Sequence, residues 1–284
     1  MTTTGVSGGR LVVCPTPIGN LEDVTLRVLA VLTQADLIAC EDTRHTRLLL
    51  DRHGISTATV SFHEHNERAR ASELVARIRD GAVVALVSDA GTPLVSDPGF
   101  TLVRECIAAG LALEVLPGPS AVITALVASG LPLERWRFVG FLPRAQGKLR
   151  ELLDGCDEAL VAFESPKRLA ATLALLAELD PGRAVAVCRE LTKLHEEVRR
   201  GPAAELAEHY ARESARGELV VVIGAAAPAA VDEARRREVL AVLQELIDAG
   251  TRPRQAVAAV ARLTGLTANA LYRELMQGKE SPTR

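Results

Sequence analysis

The stretch VVALVSDAGTPLVSDPG, residues 83–99, decides the fold. Its first five residues, Val83 to Val87, form a continuous apolar run, which is typical of a strand buried on both faces of a parallel sheet. Two Ser-Asp pairs follow, at 88–89 and 96–97, and the nearby glycines let the backbone approach a ligand closely. Open α/β sheets bind small molecules at the carboxyl ends of their strands. We therefore predict an α/β fold with a ligand-binding loop here; the alternative is that the loop only builds two tight turns.

Strand and helix patterns alternate on both sides of this stretch. Apolar runs near 11–14, 35–40 and 113–116 are each followed by a helical pattern, as in successive βα units. The alternation restarts after Pro117-Gly118-Pro119, so a second α/β domain is predicted. The predicted organisation has four parts: a flexible N-terminus at 1–10, an N-terminal α/β domain at 11–119, a C-terminal α/β domain at 120–225, and a helical, helix-turn-helix-like appendage at 232–284.

Composition narrows the class of protein. Of the 284 residues 48% are hydrophobic, which is enough for packed cores, and the formal net charge of -3 lacks the basic excess of a general phosphate binder. The longest largely apolar run, 219–231, contains Gly224 and Pro228 and is too short to span a bilayer. Five cysteines occur singly, as is typical of reduced core residues. We expect a soluble, cytoplasmic protein.

Charged residues follow three other predicted strands, at 41–44, 164–168 and 189–193. Because the carboxyl ends of such strands meet at one edge, these groups are candidates for holding or deprotonating a substrate. Some of them have a plain structural alternative, since Asp42 is also a good helix N-cap. The first predicted strand ends in Pro15–Asn20 without a G-x-G-x-x-G or P-loop pattern, so dinucleotide or ATP binding is not predicted.

Two further clusters of polar residues give weaker indications of a binding site. The segment His63-Glu64-His65 does not match H-E-x-x-H, so no metal site is predicted. The stretch from Arg135 to Arg150 contains five basic residues and no acidic one. It is either a solvated face or a local positive surface for phosphate groups.

Seven motifs together make a family resemblance. In order they are PTPIGNLED at 15–23, EDTR at 41–44, SDAGTPLVSDPG at 88–99, PGPSA at 117–121, GFLP at 140–143, ESPKR at 164–168 and RELTK at 189–193. They resemble the ribosomal RNA small subunit methyltransferase I family, which belongs to the tetrapyrrole-methylase-like class III methyltransferases. Tetrapyrrole methylases usually carry a G-x-G-x-G-D type loop after the first strand, and its replacement by Pro-Thr-Pro-Ile-Gly-Asn favours the rRNA branch.

The resemblance implies a two-domain α/β enzyme that uses S-adenosylmethionine. It implies methylation of a cytidine ribose 2′-hydroxyl in the decoding region of 16S rRNA by a homodimer, with the 30S subunit as the expected context of the RNA; no metal is expected. Carried over to this sequence, the cofactor contacts are Asp89, Ala90, Gly91, Ser96, Asp97, Ser120, Ala121, Phe163, Glu164, Gly217 and Glu218.

A ribose hydroxyl is a weak nucleophile, so its attack needs a base or a cation that stabilises the developing alkoxide. The sequence does not choose among several candidates. The predicted bases are Asp23, Glu41, Asp42 and Glu190, and the predicted stabilisers are Arg44, Lys167 and Lys193. The predicted RNA phosphate contacts are Arg135, Arg137, Arg144, Lys148, Arg150 and Arg168.

Two alternatives stay open at this point. One is a methyltransferase of the same architecture that acts on a small tetrapyrrole-like molecule or on a modified histidine of a protein. The other is a DNA-binding regulator that uses the C-terminal helices, with the α/β part as sensor.

Overall fold

The computed structural model describes residues 8–154, 156–226, 233–264 and 268–277. The described residues up to Ala226 form one compact unit, and those from Glu233 onward belong to a second. Most of the predicted flexible N-terminus, 1–7, lies outside the described residues, and Arg10 already begins the first strand. No helix among the described residues combines the length and the apolar character that crossing a membrane requires.

The first sheet is wholly parallel, with strand order β3-β2-β4-β1-β5. Its strands are β1 Arg10–Val13, β2 Leu37–Cys40, β3 Thr59–Ser61, β4 Val83–Leu86 and β5 Ala112–Val115. The prediction that the apolar run at 83–87 is a strand buried on both faces is confirmed, because β4 lies at the centre and Val84 and Ala85 are fully buried.

Helices cover both faces of this sheet, because the strand side chains that point to either face are apolar. One core contains Val12, Ile38 and Ala85, and the opposite core contains Leu11 and Val84. The helices are α1 Leu26–Gln34, α2 Thr43–Arg52, α3 Glu67–Arg79 and α4 Phe100–Ala108, and a 3₁₀ turn spans Leu21–Asp23. Helices α1 and α2 pack on the first core, and α3 and α4 on the second.

The second sheet is mixed, with strand order β6-β7-β10-β8-β9. Its strands are β6 Trp136–Phe141, β7 Ala159–Glu164, β8 Ala184–Arg189, β9 Glu197–Pro202 and β10 Leu219–Ile223. Helix α5 Ala121–Ser129 packs on one face, and α6 Gln146–Leu153, α7 Pro166–Leu179 and α8 Ala203–Arg212 pack on the other. The two sheets span residues 10–115 and 136–223, and the predicted domain boundary at 119/120 stays a prediction.

The pairing of β10 brings distant parts of the chain to one edge. Leu219, the first residue of β10, lies opposite both Glu164 at the end of β7 and Arg189 at the end of β8. Strands β7 and β8 are both antiparallel to β10, so their carboxyl ends point the same way. The charged segments at 164–168 and 189–193 therefore leave the sheet side by side.

The described part of the second unit contains three helices, within the range 232–284 where the sequence predicts a helical appendage. They are α9 Glu233–Asp248, α10 Pro253–Thr264 and α11 Ala268–Gln277. They share a small core that includes Leu243, Val257, Val260 and Leu271. The sequence also predicts a short glycine-containing turn at 264–267, and residues 265–267 lie outside the described residues.

Candidate active site

The loop that follows β4, residues 87–99, is fixed to the loop that follows β1. We call it the central loop. The Thr16 N–H donates to the Gly91 carbonyl at 2.8 Å, and the Gly91 N–H donates back to the Thr16 carbonyl at 3.0 Å. The Thr16 and Ser88 hydroxyls add bonds to the Ser88 and Gly91 carbonyls at 2.9 and 3.1 Å. Gly91 has φ +80°, which glycine adopts without strain.

Strained backbone is concentrated in two loops. Four non-glycine residues have positive φ in the described part of the chain: Leu94 at 73° and Ser96 at 69° in the central loop, and Glu190 at 49° and Thr192 at 65° after β8. Each such residue costs about 1–3 kcal/mol and persists only where its surroundings enforce it. The fold thus holds both loops in a fixed form, which is common at functional sites.

A cavity of about 420 Å³, called here the first cavity, lies between the central loop, the start of α5 and the Leu219 edge of the second sheet. That volume is within the range of about 300–1,000 Å³ typical of small-molecule sites. Asp89 does not line it; this residue lines a neighbouring cavity, and its carboxylate accepts a bond from the Asp42 N–H at 3.1 Å. The other predicted cofactor residues all line the first cavity: Ala90, Gly91, Ser96, Asp97, Ser120, Ala121, Phe163, Glu164, Gly217 and Glu218.

The first cavity has an apolar wall, of which only Phe163 was predicted from the sequence. Phe141 packs edge-on against Phe163, with ring centroids 5.5 Å apart, and Ile18 and Val95 also line the cavity. Phe141 is 61% exposed, which is unusual for a large aromatic side chain. Its place in the GFLP motif was a signal in the sequence, but the motif alone gives no role to the ring.

Burial and neighbouring charges raise the pKa of two carboxyl groups near the central loop. Burial, together with the nearby Glu41 and Asp89 charges, raises the pKa of Asp97 to about 6. Burial and the Asp89 charge also raise the pKa of Glu41. Asp42 differs, because hydrogen bonds from Arg44 lower the pKa of its exposed carboxyl to about 2. Of these groups, Glu41 and Asp97 are therefore the better proton acceptors near neutral pH.

Lys193 lies between two carboxylates beside the first cavity. Its Nζ is 3.0 Å from Glu190 Oε1 and 3.0 Å from Glu218 Oε2, and Glu190 Oε1 also accepts from the Glu218 N–H at 2.8 Å. Burial opposes the charged form of Lys193, but hydrogen bonds to Glu218 and Glu190 outweigh it and raise the lysine pKa. The Glu218 N–H bond and the Lys193 bond lower the pKa of Glu190. Lys193 is thus a fixed cation, and Glu190 is a weak base.

The remaining predicted catalytic residues line other pockets or are exposed. Asp23 lines a pocket with Thr25 and Thr192. Lys167 lines another, together with Tyr210. Arg44 is 89% exposed and pairs with Asp42 at 2.9 Å. The structure thus groups Lys193 with Glu190, and Glu41 with Asp97, whereas neither Asp23 nor Lys167 lines the first cavity.

Comparison with known proteins places the chain in a family. The family described as Tetrapyrrole (Corrin/Porphyrin) Methylases matches residues 10–207. The ribosomal RNA small subunit methyltransferase I of Mesorhizobium japonicum is 45% identical over 271 residues, covering 94% of this chain and 91% of that protein. The chain belongs to the ribosomal RNA small subunit methyltransferase I family. The resemblance predicted from the seven motifs is confirmed, and membership makes the chain a methyltransferase.

Solved structures agree on the fold of this family member. The methyltransferase CobJ superposes with a TM-score of 0.59 at 24% identity, over 78% of this chain and 95% of that one. Uroporphyrin-III C-methyl transferase from Thermus thermophilus, complexed with S-adenyl homocysteine, gives 0.54 at 21% identity over 76% and 97%. These likenesses confirm the predicted class III, tetrapyrrole-methylase-like α/β fold.

The predicted RNA contacts of this family member are largely engaged within the protein. Acidic residues from elsewhere in the sequence pair with Arg135, Arg137 and Arg150. Arg168 pairs with Glu164 at 3.3 Å and donates to the Leu142 and Pro143 carbonyls. Arg144 and Lys148 make no ion pair with another described residue. The positive surface is therefore weaker than the sequence stretch indicates, and RNA contact by these side chains stays a prediction.

Proposed function

We propose that this protein transfers the methyl group of S-adenosylmethionine to the 2′-hydroxyl of a cytidine ribose in the decoding region of 16S rRNA, within the 30S subunit in the cytoplasm. The main structural support is the first cavity, because motif residues from six separate loops and strand ends line it together. The relatives named ribosomal RNA small subunit methyltransferase I supply the class of acceptor. We retain the homodimer as part of this proposal, and light scattering on the purified protein tests it.

The residues of the first cavity fit the donor chemically. Phe141, Phe163 and Val95 offer an apolar wall suited to an adenine ring. Asp97, Ser120 and Glu218 offer polar groups for hydroxyl and amine ends. Bound in this cavity, S-adenosylmethionine would supply an activated methyl group, and its neutral thioether product would be the leaving group. Holding the two reactants in line supplies much of the rate enhancement in such a displacement.

The protein's own groups support activation of the hydroxyl. Lys193 holds a positive charge beside the first cavity and can stabilise the oxygen as its proton leaves. Among the four predicted bases, burial raises the pKa of Glu41, but this residue lines neither cavity and is therefore not assigned as the base. Asp42 and Glu190 have lowered pKa values and are weaker bases.

Label transfer tests the proposal. The donor with a labelled methyl group is incubated with 30S subunits from a strain that lacks this protein, and ribose methylation of 16S rRNA is then mapped. We expect label on a cytidine ribose of the decoding region. A tetrapyrrole and a modified-histidine protein serve as competing acceptors. Faster transfer to either of them, or none to 16S rRNA, would reject the proposed function.

A further inference from the structure

A second cavity, of about 290 Å³, adjoins the first. Ile18, Ala90 and Glu218 line both cavities and form a shared wall. The second cavity lies beneath the loop after β1 and the middle of α2. Two adjoining cavities with a shared wall suit a reaction in which a group passes from one bound molecule to another.

The lining of the second cavity combines charged, polar and apolar groups. Asp89 precedes the shared Ala90 in the chain, and Lys193 is bonded to the shared Glu218 at 3.0 Å, so both charged groups lie near the shared wall. Leu21 and Leu48 line the second cavity but not the first, and so do His45 and Thr46 of α2. A nucleoside offers partners for both kinds of group, with hydroxyl groups on its ribose and, on its base, flat apolar faces and polar edges.

We propose that the second cavity receives the acceptor nucleoside, with its ribose at the shared wall near Lys193 and its base among the leucines. This inference rests on the proposed function and names the acceptor site of that reaction. A volume of about 290 Å³ suits one nucleoside and is small for a base pair that is still stacked in a helix. The target nucleotide is therefore unpaired, or is flipped out of its stack, before the methyl group is transferred.

Leu48 is a suitable position for a substitution that narrows this cavity. It lies in α2 and is 61% exposed, so a larger side chain narrows the cavity without disturbing a packed core. Leu48→Trp should lower kcat/KM for transfer to 30S subunits by about tenfold or more, as steric exclusion from a shaped pocket does. Leu48→Phe should give a smaller loss. Calorimetry with S-adenosylmethionine should show a dissociation constant within about twofold of the wild-type value, because the first cavity is intact.

Ile107→Trp is the matched control. Ile107 is also 61% exposed in a helix, α4, and it lines neither cavity. This variant should keep both transfer and donor affinity. Binding is also measured with a short cytidine-containing RNA, either single-stranded or fully paired, in the presence of S-adenosylhomocysteine. The single strand should bind more tightly than the duplex, and Leu48→Trp should abolish that preference.

The outcomes distinguish failure of the acceptor-site proposal from failure of the proposed function. Wild-type protein that methylates 30S subunits, with Leu48→Trp equally active and equally able to prefer the single strand, overturns the acceptor site alone. Parallel loss of donor affinity in Leu48→Trp also overturns it, because the second cavity would then belong to the donor. Wild-type protein without transfer to rRNA refutes the proposed function, and the oligonucleotide preference still decides whether the cavity binds a nucleoside.

Discussion

Replacing Lys193 by Met is the sharpest test of the proposed chemistry. The change removes the cation that lies 3.0 Å from both Glu190 and Glu218 and keeps most of the side-chain volume. Removing one stabilising group from an enclosed site slows catalysis by about 100- to 1,000-fold, equivalent to about 3–4 kcal/mol. Lys193 is 28% exposed and shares its charge with two carboxylates. We therefore expect a loss of about 100-fold, at the lower end of that range.

The fold should tolerate this substitution. Glu218 is 74% exposed, so its pair with Lys193 contributes little to stability, and the loss from both pairs should be about 1 kcal/mol. The assay is single-turnover methyl transfer to 30S subunits at saturating donor, with donor affinity measured separately by calorimetry. Lys193→Arg keeps the charge and should recover part of the rate.

Lys167→Met is the discriminating comparison, because that lysine lines a different pocket. We expect it to slow the single-turnover rate by no more than about threefold. If Lys193→Met transfers within about threefold of the wild-type rate with donor bound, or if Lys167→Met falls as far as Lys193→Met, the assignment of Lys193 is wrong.

Three further predictions concern the cavity, the electrostatics and the RNA surface. Phe141→Ala should weaken donor binding about tenfold by calorimetry, whereas Phe100→Ala, which removes a ring of similar exposure (62% against 61%) outside the cavity, should not. The pKa of Asp97 is raised from 3.8 to about 6, so its contribution to stability is present below pH 4 and lost as pH rises through 6. Because this carboxyl is only partly buried and solvent screens its charge, Asp97→Asn should be more stable than wild type at pH 8 by about 1 kcal/mol in denaturant titrations, and should lose that advantage at pH 4. Charge removal by Arg144→Gln with Lys148→Gln should flatten the log–log salt dependence of RNA binding by about 2, and an unchanged slope would remove both side chains from the RNA surface.

The sequence predicted the central part of the fold because its signals there are local. The apolar run of β4 is continuous, and the turn residues that follow it mark where the strand ends. Strand β3, Thr59–Ser61, was not predicted, because three half-buried residues with two hydroxyl groups show no apolar run. The antiparallel pairing of β10 was not predicted either, since βα alternation favours a parallel sheet and pairing direction depends on contacts distant in sequence.

The candidate site was predictable to the level of loops and not of side chains. Position at a strand end brought Glu164 and Gly217 to the first cavity, but Lys167, three residues after Glu164, lines another pocket. The basic stretch illustrates the same limit. Its count of charges was correct, yet folding brings Asp157, Glu158 and Glu178 to three of its arginines. Whether a charge is neutralised depends on residues that the local sequence does not contain.

The double pairing of β10 restricts how this chain can change in length. Val220 lines the first cavity, whereas its neighbour Val221 belongs to the core on the opposite face of the sheet. Gain or loss of one residue inside β10 would exchange these two faces and present the wrong set of side chains to the bound molecule. Length changes are therefore expected in the segment between α8 and Gly217, whereas an insertion inside β10 would keep this site only with a compensating bulge, such as the register shift in β6.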